Sequence, residues 1–344
     1  MLQIRNAWLV VDYACNNSCS YCYASKANAQ KSFMSLHYAR QVLDEIARVG
    51  VKTCLIIGGE PTIHPNLFEI IEYGASVGLT MKIVSNGRAF KNMSFLLKSI
   101  NAGLQHISIS LEGSTPERHD GICGKGSFDD TLLGIKNCVS TKISMNVVST
   151  ISNHTKQDIV GIAELMHSLS VKNILFNYGV PPVFSEEHQE EGMFLSPEDL
   201  AHVAIDAYKK LREKKIKVRF FGTIPVCAYG SEKTQMMEEG YISGGTGCHM
   251  CNGSGVVFEP NGEIIPCTHF AGIKFISAKD EIGDKVVQLD QIWNQTSGSR
   301  KRFETALSRY PSEECEHCNL WGKCHGGCPL LWKVFDASQH THRI

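Results

Sequence analysis

Between residues 7 and 180, short runs of apolar and β-branched residues alternate with longer stretches whose apolar positions recur every three or four residues. A period near two marks a strand and a period of 3.6 marks a helix. AWLVVDY, TCLIIGG, MKIVSNG, HISISLEG, ISMNVVST and NILFNYG therefore predict six strands, with five helices between them. In SLHYARQVLDEIARVG, Leu36, Ala39, Leu43, Ile46 and Ala47 share one helical face, and Gly50 stops the helix. Ser127 with Asp130, Thr155 with Asp158, and Ser196 before Pro197 read as further helix starts. Repeated strand–helix units imply an α/β fold on a parallel sheet, with chemistry at the carboxyl ends of the strands. Six units fall short of an eight-fold barrel. Past the helix that ends in KKLREKKIKVRF the chain turns rich in Gly and Cys, which puts a boundary near 217 between domains 1–217 and 218–344.

Charge and hydropathy narrow the partners. The 344 residues carry 34 Lys and Arg against 35 Asp and Glu, a formal charge of −1, so no basic field for nucleic acid follows. The lysines between Lys209 and Arg219 close a helix and read as its solvated face. No run reaches the roughly 18 apolar residues of a membrane helix, and the apolar N-terminal stretch is too short for a secretory signal. A cytoplasmic protein with neither nucleic-acid nor membrane partner is expected. In that reducing compartment the fourteen cysteines are not a disulfide framework. Cys54 and Cys138, in apolar settings, read as core thiols; ten others form two groups.

The first group is Cys15, Cys19 and Cys22, directly after the first strand. Three thiolates can hold three irons of a four-iron cluster and leave the fourth iron open, whereas a structural zinc wants four closed ligands. A C-x3-C-x2-C triplet with Tyr21 before its last cysteine, followed one strand later by Gly58-Gly59-Glu60-Pro61, resembles the radical S-adenosylmethionine (SAM) superfamily. The resemblance implies a [4Fe-4S] cluster on the triplet whose open iron chelates SAM, with the GGEP segment holding the methionyl amino group. Gly58 and Gly59 would let backbone carbonyls approach the ligand, and Glu60 would set an anion beside an ammonium. Ser85 and Asn86 in VSNG, and Ser108, Ser110 and Glu112 in SISLEG, match positions that contact the SAM carboxylate and ribose in relatives. Many relatives also have an arginine near the place of Cys123, so the carboxylate's partner here is left unnamed.

The second group is Cys248, Cys251, Cys267, Cys315, Cys318, Cys324 and Cys328. Spacing alone leaves zinc and iron–sulfur both open. Cys251, Gly262 and Cys267, then C-x2-C-x5-C-x3-C from Cys315 to Cys328, resemble the SPASM extension of radical SAM enzymes that modify peptides and proteins. The implied fold is a partial (β/α)6 TIM-like barrel followed by a cysteine-rich auxiliary-cluster domain. Two auxiliary iron–sulfur clusters of the [4Fe-4S] type are implied, the first on Cys248, Cys251, Cys267 and Cys328, the second on Cys315, Cys318 and Cys324. The second is one ligand short; Cys227, Asp336, His340 and His342 are the candidates to complete it, the alternative being an iron left open to solvent or substrate. Glu259 and Glu263 read as surface charges, and no catalytic acid or base is named.

The resemblance implies an enzyme that cleaves SAM to methionine and a 5′-deoxyadenosyl radical, which takes hydrogen from a peptide or protein side chain in ribosomal peptide maturation. A flavodoxin- or ferredoxin-type reductant would supply the electron. Thr268 follows Cys267 where sulfatase-maturing relatives carry an acid, and a threonine is a poor base. With Cys15 this close to Met1 there is no room for an N-terminal leader-binding module, so a separate leader-binding protein or the barrel surface would serve. The alternatives are an anaerobic sulfatase-maturase-like enzyme, a small-molecule radical SAM enzyme, and a non-catalytic iron–sulfur or zinc protein.

Overall fold

The computed structural model describes residues 4–24, 32–183, 192–222, 224–243, 248–249, 253–273, 276–277, 288–290, 305 and 311–340. The chain packs as two compact units. One combines Met1–Ser110, Cys123–Met145 and Asn252–Phe303, the other Leu111–Ile122, Asn146–Cys251 and Glu304–Ile344. Neither unit begins or ends at 217, because stretches from both sides of that point enter each of them.

In the first unit, β1 (Asn6–Asp12), β2 (Thr53–Gly58), β3 (Thr80–Ser85) and β4 (Leu104–Ser110) lie side by side in that order, all parallel. The helices α1 (Leu36–Arg48), α2 (Leu67–Ser76) and α3 (Met93–Asn101) fill the connections, as the alternating pattern predicts. Register puts Leu9, Ile56, Ile83 and Ile107 on one face of the strands, each at 0% exposure. Trp8, Leu55, Lys82 and His106 occupy the other face and are half-buried.

Local chemistry explains α1. Ser35 caps it by accepting from the Tyr38 amide at 3.1 Å, Arg48 stands in its last turn, and Gly50 follows in the left-handed region at φ +83°. Ala39, Leu43 and Ile46 are buried as expected, joined by Tyr38 and Val42. Later segments return to this unit: β8 (Gly255–Phe258) runs parallel to β1 on its other side, and β9 (Glu263–Ile265) folds back antiparallel on β8.

In the second unit, residues 147–151 of β5 (Ser144–Ile151) pair in parallel with β6 (Ile174–Tyr178), which pairs in parallel with β7 (Arg219–Phe221). The helix α7 (Pro197–Glu213) starts as the sequence predicts, with Ser196 accepting from the Asp199 amide and Pro197 at the first position. Its basic end is a solvated face: Lys209, Arg212 and Lys214 pair with Glu232, Glu239 and Glu164.

Two expected caps turn out otherwise. Helix α5 (Ser127–Thr141), next along the chain after α4 (Pro116–Cys123), begins at Ser127, whose hydroxyl donates to the Gly124 carbonyl, and the residue before it is Gly126, in the left-handed region. The start expected at Thr155 is displaced: α6 (Ile159–Ser168) begins after Asp158, whose carboxylate is taken by the amide and hydroxyl of Ser114 and by Arg118, while the Thr155 hydroxyl donates to the Thr150 carbonyl. A tertiary partner outcompetes the local cap in the second case. Among the described residues no helix is long and apolar enough to cross a membrane.

Gly134 of α5 packs against the turn after β3, where a Cβ would run into the Gly87 carbonyl; at Gly74 of α2 it would meet only the flexible Met81 side chain. Gly134→Ala is therefore expected to destabilise by about 1–3 kcal/mol, while helix propensity offsets most of the strain in Gly74→Ala. Urea denaturation of the two variants checks the ordering.

Candidate functional site

The loop that leaves β1 carries Cys15, Cys19 and Cys22, all half-buried. The residues between the first two cysteines are pinned one by one. Arg88 donates through Nη1 to the Asn16 carbonyl at 2.7 Å and to Asn17 Oδ1 at 3.0 Å. Asn86 Nδ2 donates to Asn16 Oδ1 at 2.6 Å, and the Ser18 amide donates to the Cys123 carbonyl at 3.0 Å. Arg88 is itself held by Asp130, which also pairs with Lys91. Cys123 thus serves the loop through its backbone, a task that does not depend on its side chain. Arg88, Asn16 and Asp130 are site residues that the motif comparison missed; the one hint was that Arg88 follows Asn86 by two positions.

The thiols suit a metal. Burial pushes Cys15 up to about 12, with charge on Glu60, Cys19 and Cys22 adding and the Asn17 amide, 3.4 Å from Sγ, opposing. The bare Cys15 thiol stays protonated at neutral pH, so a cationic centre is what would hold it as thiolate. Among the described residues no three His, Cys, Asp or Glu side chains converge as a single metal ion requires.

The GGEP turn ends β2 beside this loop. A Cβ on Gly59 would collide with the Ala14 carbonyl, and one on Gly58 would sit 2.6 Å from the Asp12 carbonyl. The Gly59 and Glu60 amides donate to the Asp12 and Ala14 carbonyls at 3.0 and 2.8 Å. The glycines are needed, then, for one strand end to touch the next. Glu60 is 1% exposed and turned inward. One carboxylate oxygen accepts from the amide and hydroxyl of Thr62 and the hydroxyl of Ser85, and the other from the Asn86 amide at 2.7 Å. This joins GGEP to VSNG, two motifs that the sequence set on neighbouring strands with no stated link. Pro61 is buried at the start of the short turn that follows.

Behind the loop lies Asp12, at 0% exposure, with neither carboxylate oxygen partnered among the described residues. Burial, with Glu60 adding, raises its carboxyl to about 8, so it is mostly protonated at neutral pH. Val10, Tyr13, Ala24, Ile57, Val257, Ile265 and Ala271 form one apolar cluster, against which Trp8, Cys22 and Tyr23 pack. Here β8 and β9 meet the cysteine loop. Tyr23 and His269 stand ring to ring at 5.4 Å, and His269 Nδ1 is 3.6 Å from Cys267 Sγ.

Glu259 corrects an expectation. It is no surface charge: it is 0% exposed, accepts from the Tyr13 hydroxyl and the Gly272 amide, and has a carboxyl raised by burial. Glu263 is only half-buried but also hides one oxygen. The hairpin they flank packs inward against the cysteine loop, which their polar neighbours in sequence do not reveal.

The remaining expected residues are placed as follows. Ser108 and Ser110 lie half-buried in β4, Ser108 within 3.4 Å of His106 Nε2. Glu112 belongs to the second unit, where it is buried and accepts from the Thr150 amide at 2.9 Å. In that unit Cys315, Cys324 and Cys328 are buried and Cys318 half-buried. Burial raises the Cys315 thiol, and charge on Cys324 and Cys318 adds to the effect. His325, Gly326 and Gly327 run through the left-handed region at φ +53°, +64° and +86°, which turns the chain back between Cys324 and Cys328. Cys267 falls in the first unit, Cys248 and Cys328 in the second, and Cys251 lies outside the described residues. Cys54 and Cys138 are core thiols at 0% exposure.

Two variants probe the loop. Because the Asp12 carboxyl sits above its ordinary 3.8, the folded state binds the extra proton; that stabilisation is full below about 4 and is lost as pH rises through about 8. Asp12→Asn is expected to flatten the fall in stability between pH 5 and 8, read by denaturation at each pH. Arg88→Ala removes hydrogen bonds from a charged donor and is expected to speed chelator extraction of iron from the loaded protein by about tenfold.

Residues 9–166 match the model of the Radical SAM superfamily. The chain is 26% identical over 333 residues to the antilisterial bacteriocin subtilosin biosynthesis protein AlbA of Bacillus subtilis, covering 94% of this chain and 67% of AlbA. It is 28% identical over 207 residues to the AdoMet-dependent heme synthase of Methanosarcina barkeri, covering 60% of this chain and 58% of that protein. It therefore spans little more than half the length of the heme synthase and about two thirds of AlbA. In fold it is similar to Streptococcus suis SuiB bound to precursor peptide SuiA, with a TM-score of 0.71 at 14% identity, covering 95% of this chain and 72% of SuiB. The pinned cysteine triplet and the adjoining GGEP turn both lie within the stretch that matches, so residues 9–166 are those of a radical SAM domain.

Proposed function

We propose that the protein is a peptide-modifying radical SAM enzyme acting in ribosomal peptide maturation. The observation that carries this is the joining of the three-thiol loop, through Asn86 and Glu60, to the GGEP turn at the ends of β1, β2 and β3. In this reading Cys15, Cys19 and Cys22 hold a [4Fe-4S] cluster, and Gly58 to Pro61, Ser85, Asn86, Ser108 and Ser110 meet SAM. When bound, these groups supply the electron and the 5′-deoxyadenosyl radical that removes hydrogen from the substrate. The chain's own residues do the rest. Glu60, saturated by internal hydrogen bonds, acts as the anchor of the SAM-binding turn, leaving amino-group recognition to its backbone. Arg88 and Asn86 orient the cluster loop, and the apolar layer of Val10, Ile57, Val257 and Ile265 keeps water from its inner side.

A peptide substrate is supported by the likeness to AlbA along nearly the whole chain and by the fold shared with a peptide-bound SuiB. The two auxiliary clusters, a flavodoxin- or ferredoxin-type reductant and a separate leader-binding protein are parts of the same proposal. The heme synthase likeness favours a second reading, a small-molecule substrate, but it stops at 60% of the chain.

Anaerobic reconstitution, followed by reduction with dithionite in the presence of SAM, is expected to yield 5′-deoxyadenosine by liquid chromatography, and Cys15→Ala to abolish it. No deoxyadenosine from the fully loaded wild type would leave a non-catalytic iron–sulfur protein. Adding a candidate precursor peptide should raise turnover and change the peptide's mass; a response to tetrapyrroles alone would favour the second reading.

A further inference from the structure

A closed thiolate centre takes four protein donors. The second unit winds Cys315, Cys318 and Cys324 into one short loop: the Cys318 amide donates to the Cys315 carbonyl at 3.3 Å, the Leu320 amide to Cys318 Sγ at 3.4 Å, and the Cys324 amide to the Leu320 carbonyl at 2.9 Å. We propose that Cys227 is the fourth ligand of the iron–sulfur cluster held by these three thiolates. The inference rests on the iron–sulfur reading of residues 315–328 given above.

The backbone supplies the geometry. The Val226 amide donates to Cys324 Sγ at 3.4 Å, across 98 positions of sequence. Cys227 is the next residue, so its Cα lies no more than about 5 Å from that amide nitrogen. Two other expected ligands accept the same kind of bond: Cys15 from the Asn17 amide and Cys318 from the Leu320 amide, each at 3.4 Å. Amide donors to ligand sulfurs orient them and tune a cluster's potential. For Cys15 and Cys318 the donor is two residues downstream, whereas for Cys324 it is delivered by the segment that carries Cys227.

That segment is fixed. Residues Val226–Glu232 form a tight turn of helix with Val226 and Tyr229 buried, and the Tyr229 and Tyr178 hydroxyls are hydrogen-bonded to each other. Cys227 is half-buried, unlike the core thiols Cys54 and Cys138, and in this it matches Cys15, Cys19, Cys22 and Cys318. The rival Asp336 is occupied: its carboxylate accepts from the amide and hydroxyl of Ser338 and from Gln339, starting the short helix Ala337–His340. The His340 side chain and His342 lie outside the described residues. On coordination Cys227 gives up its thiol proton and binds as thiolate.

The test uses the full chain with Cys15, Cys19 and Cys22 changed to alanine, so that only the auxiliary centres load. Reconstituted anaerobically, this protein is expected to hold about eight irons. Adding Cys227→Ala is expected either to remove about four of them or to make one iron labile, so that mild oxidation gives a three-iron EPR signal absent from the parent. Cys227→Ser, which keeps a weak oxygen donor, should fall between the two. As a readout free of any folding defect, iodoacetamide on the unaltered chain should label Cys227 only after a chelator has stripped the iron. Equal iron content and identical EPR with and without Cys227, or equal labelling before and after stripping, overturns the assignment. A parent that binds zinc or no metal overturns the iron–sulfur reading and the inference together, and so marks the two failures apart.

Discussion

One buried carboxylate organises the site. Glu60 has no water to solvate it, and a buried charge is tolerable only where hydrogen bonds replace that solvation. Donors from Thr62, Ser85 and Asn86 do so, and in satisfying Glu60 they fix the end of β2 to the end of β3. Asn86 is then held so that its side chain can reach Asn16, and Arg88 follows in position to grip the same loop. The placing of three thiols descends from that arrangement. Burial raises the Glu60 carboxyl, yet all the hydrogen bonds act the other way, favouring the charged form that accepts from four donors.

The contact between β1 and β2 has a second constraint, steric in kind. Strand ends that exchange hydrogen bonds through Asp12, Ala14, Gly59 and Glu60 leave no volume for a side chain at Gly58 or Gly59. The same closeness drives Asp12 into a dry position where its carboxyl keeps a proton. A protonated acid behind a loop of thiols adds no negative charge to a region that already must hold three thiolates, which is the electrostatic condition under which a cluster could be bound there.

Much of the fold's frame was legible in the sequence. Six strands and their helices followed from hydrophobic periodicity, since residues 7 to 180 alternate cleanly and each strand carries its own buried face. The triplet and GGEP stood out through their resemblance to a family, whose short motifs are properties of local sequence. Less legible was the work of Glu60, which the motif resemblance aimed at a ligand and which the folded chain spends on its own strand ends. Arg88 and Asp130 escaped notice because charged surface residues are the commonest kind and nothing local separates a clamp from a solvated pair.

Sequence alone determined the α/β class, the six strands β1 to β6, the core thiols and the two cysteine groups, because periodicity and spacing are properties of neighbours along the chain. Tertiary structure alone decided that β8 and β9 return beside β1, burying Glu259 against Tyr13, and that the turn at Val226 meets Cys324. These contacts join positions from about one hundred to two hundred and fifty residues apart. Their energies come from desolvation and from amides finding acceptors, terms that exist only once the chain has closed on itself, so no local pattern could announce them.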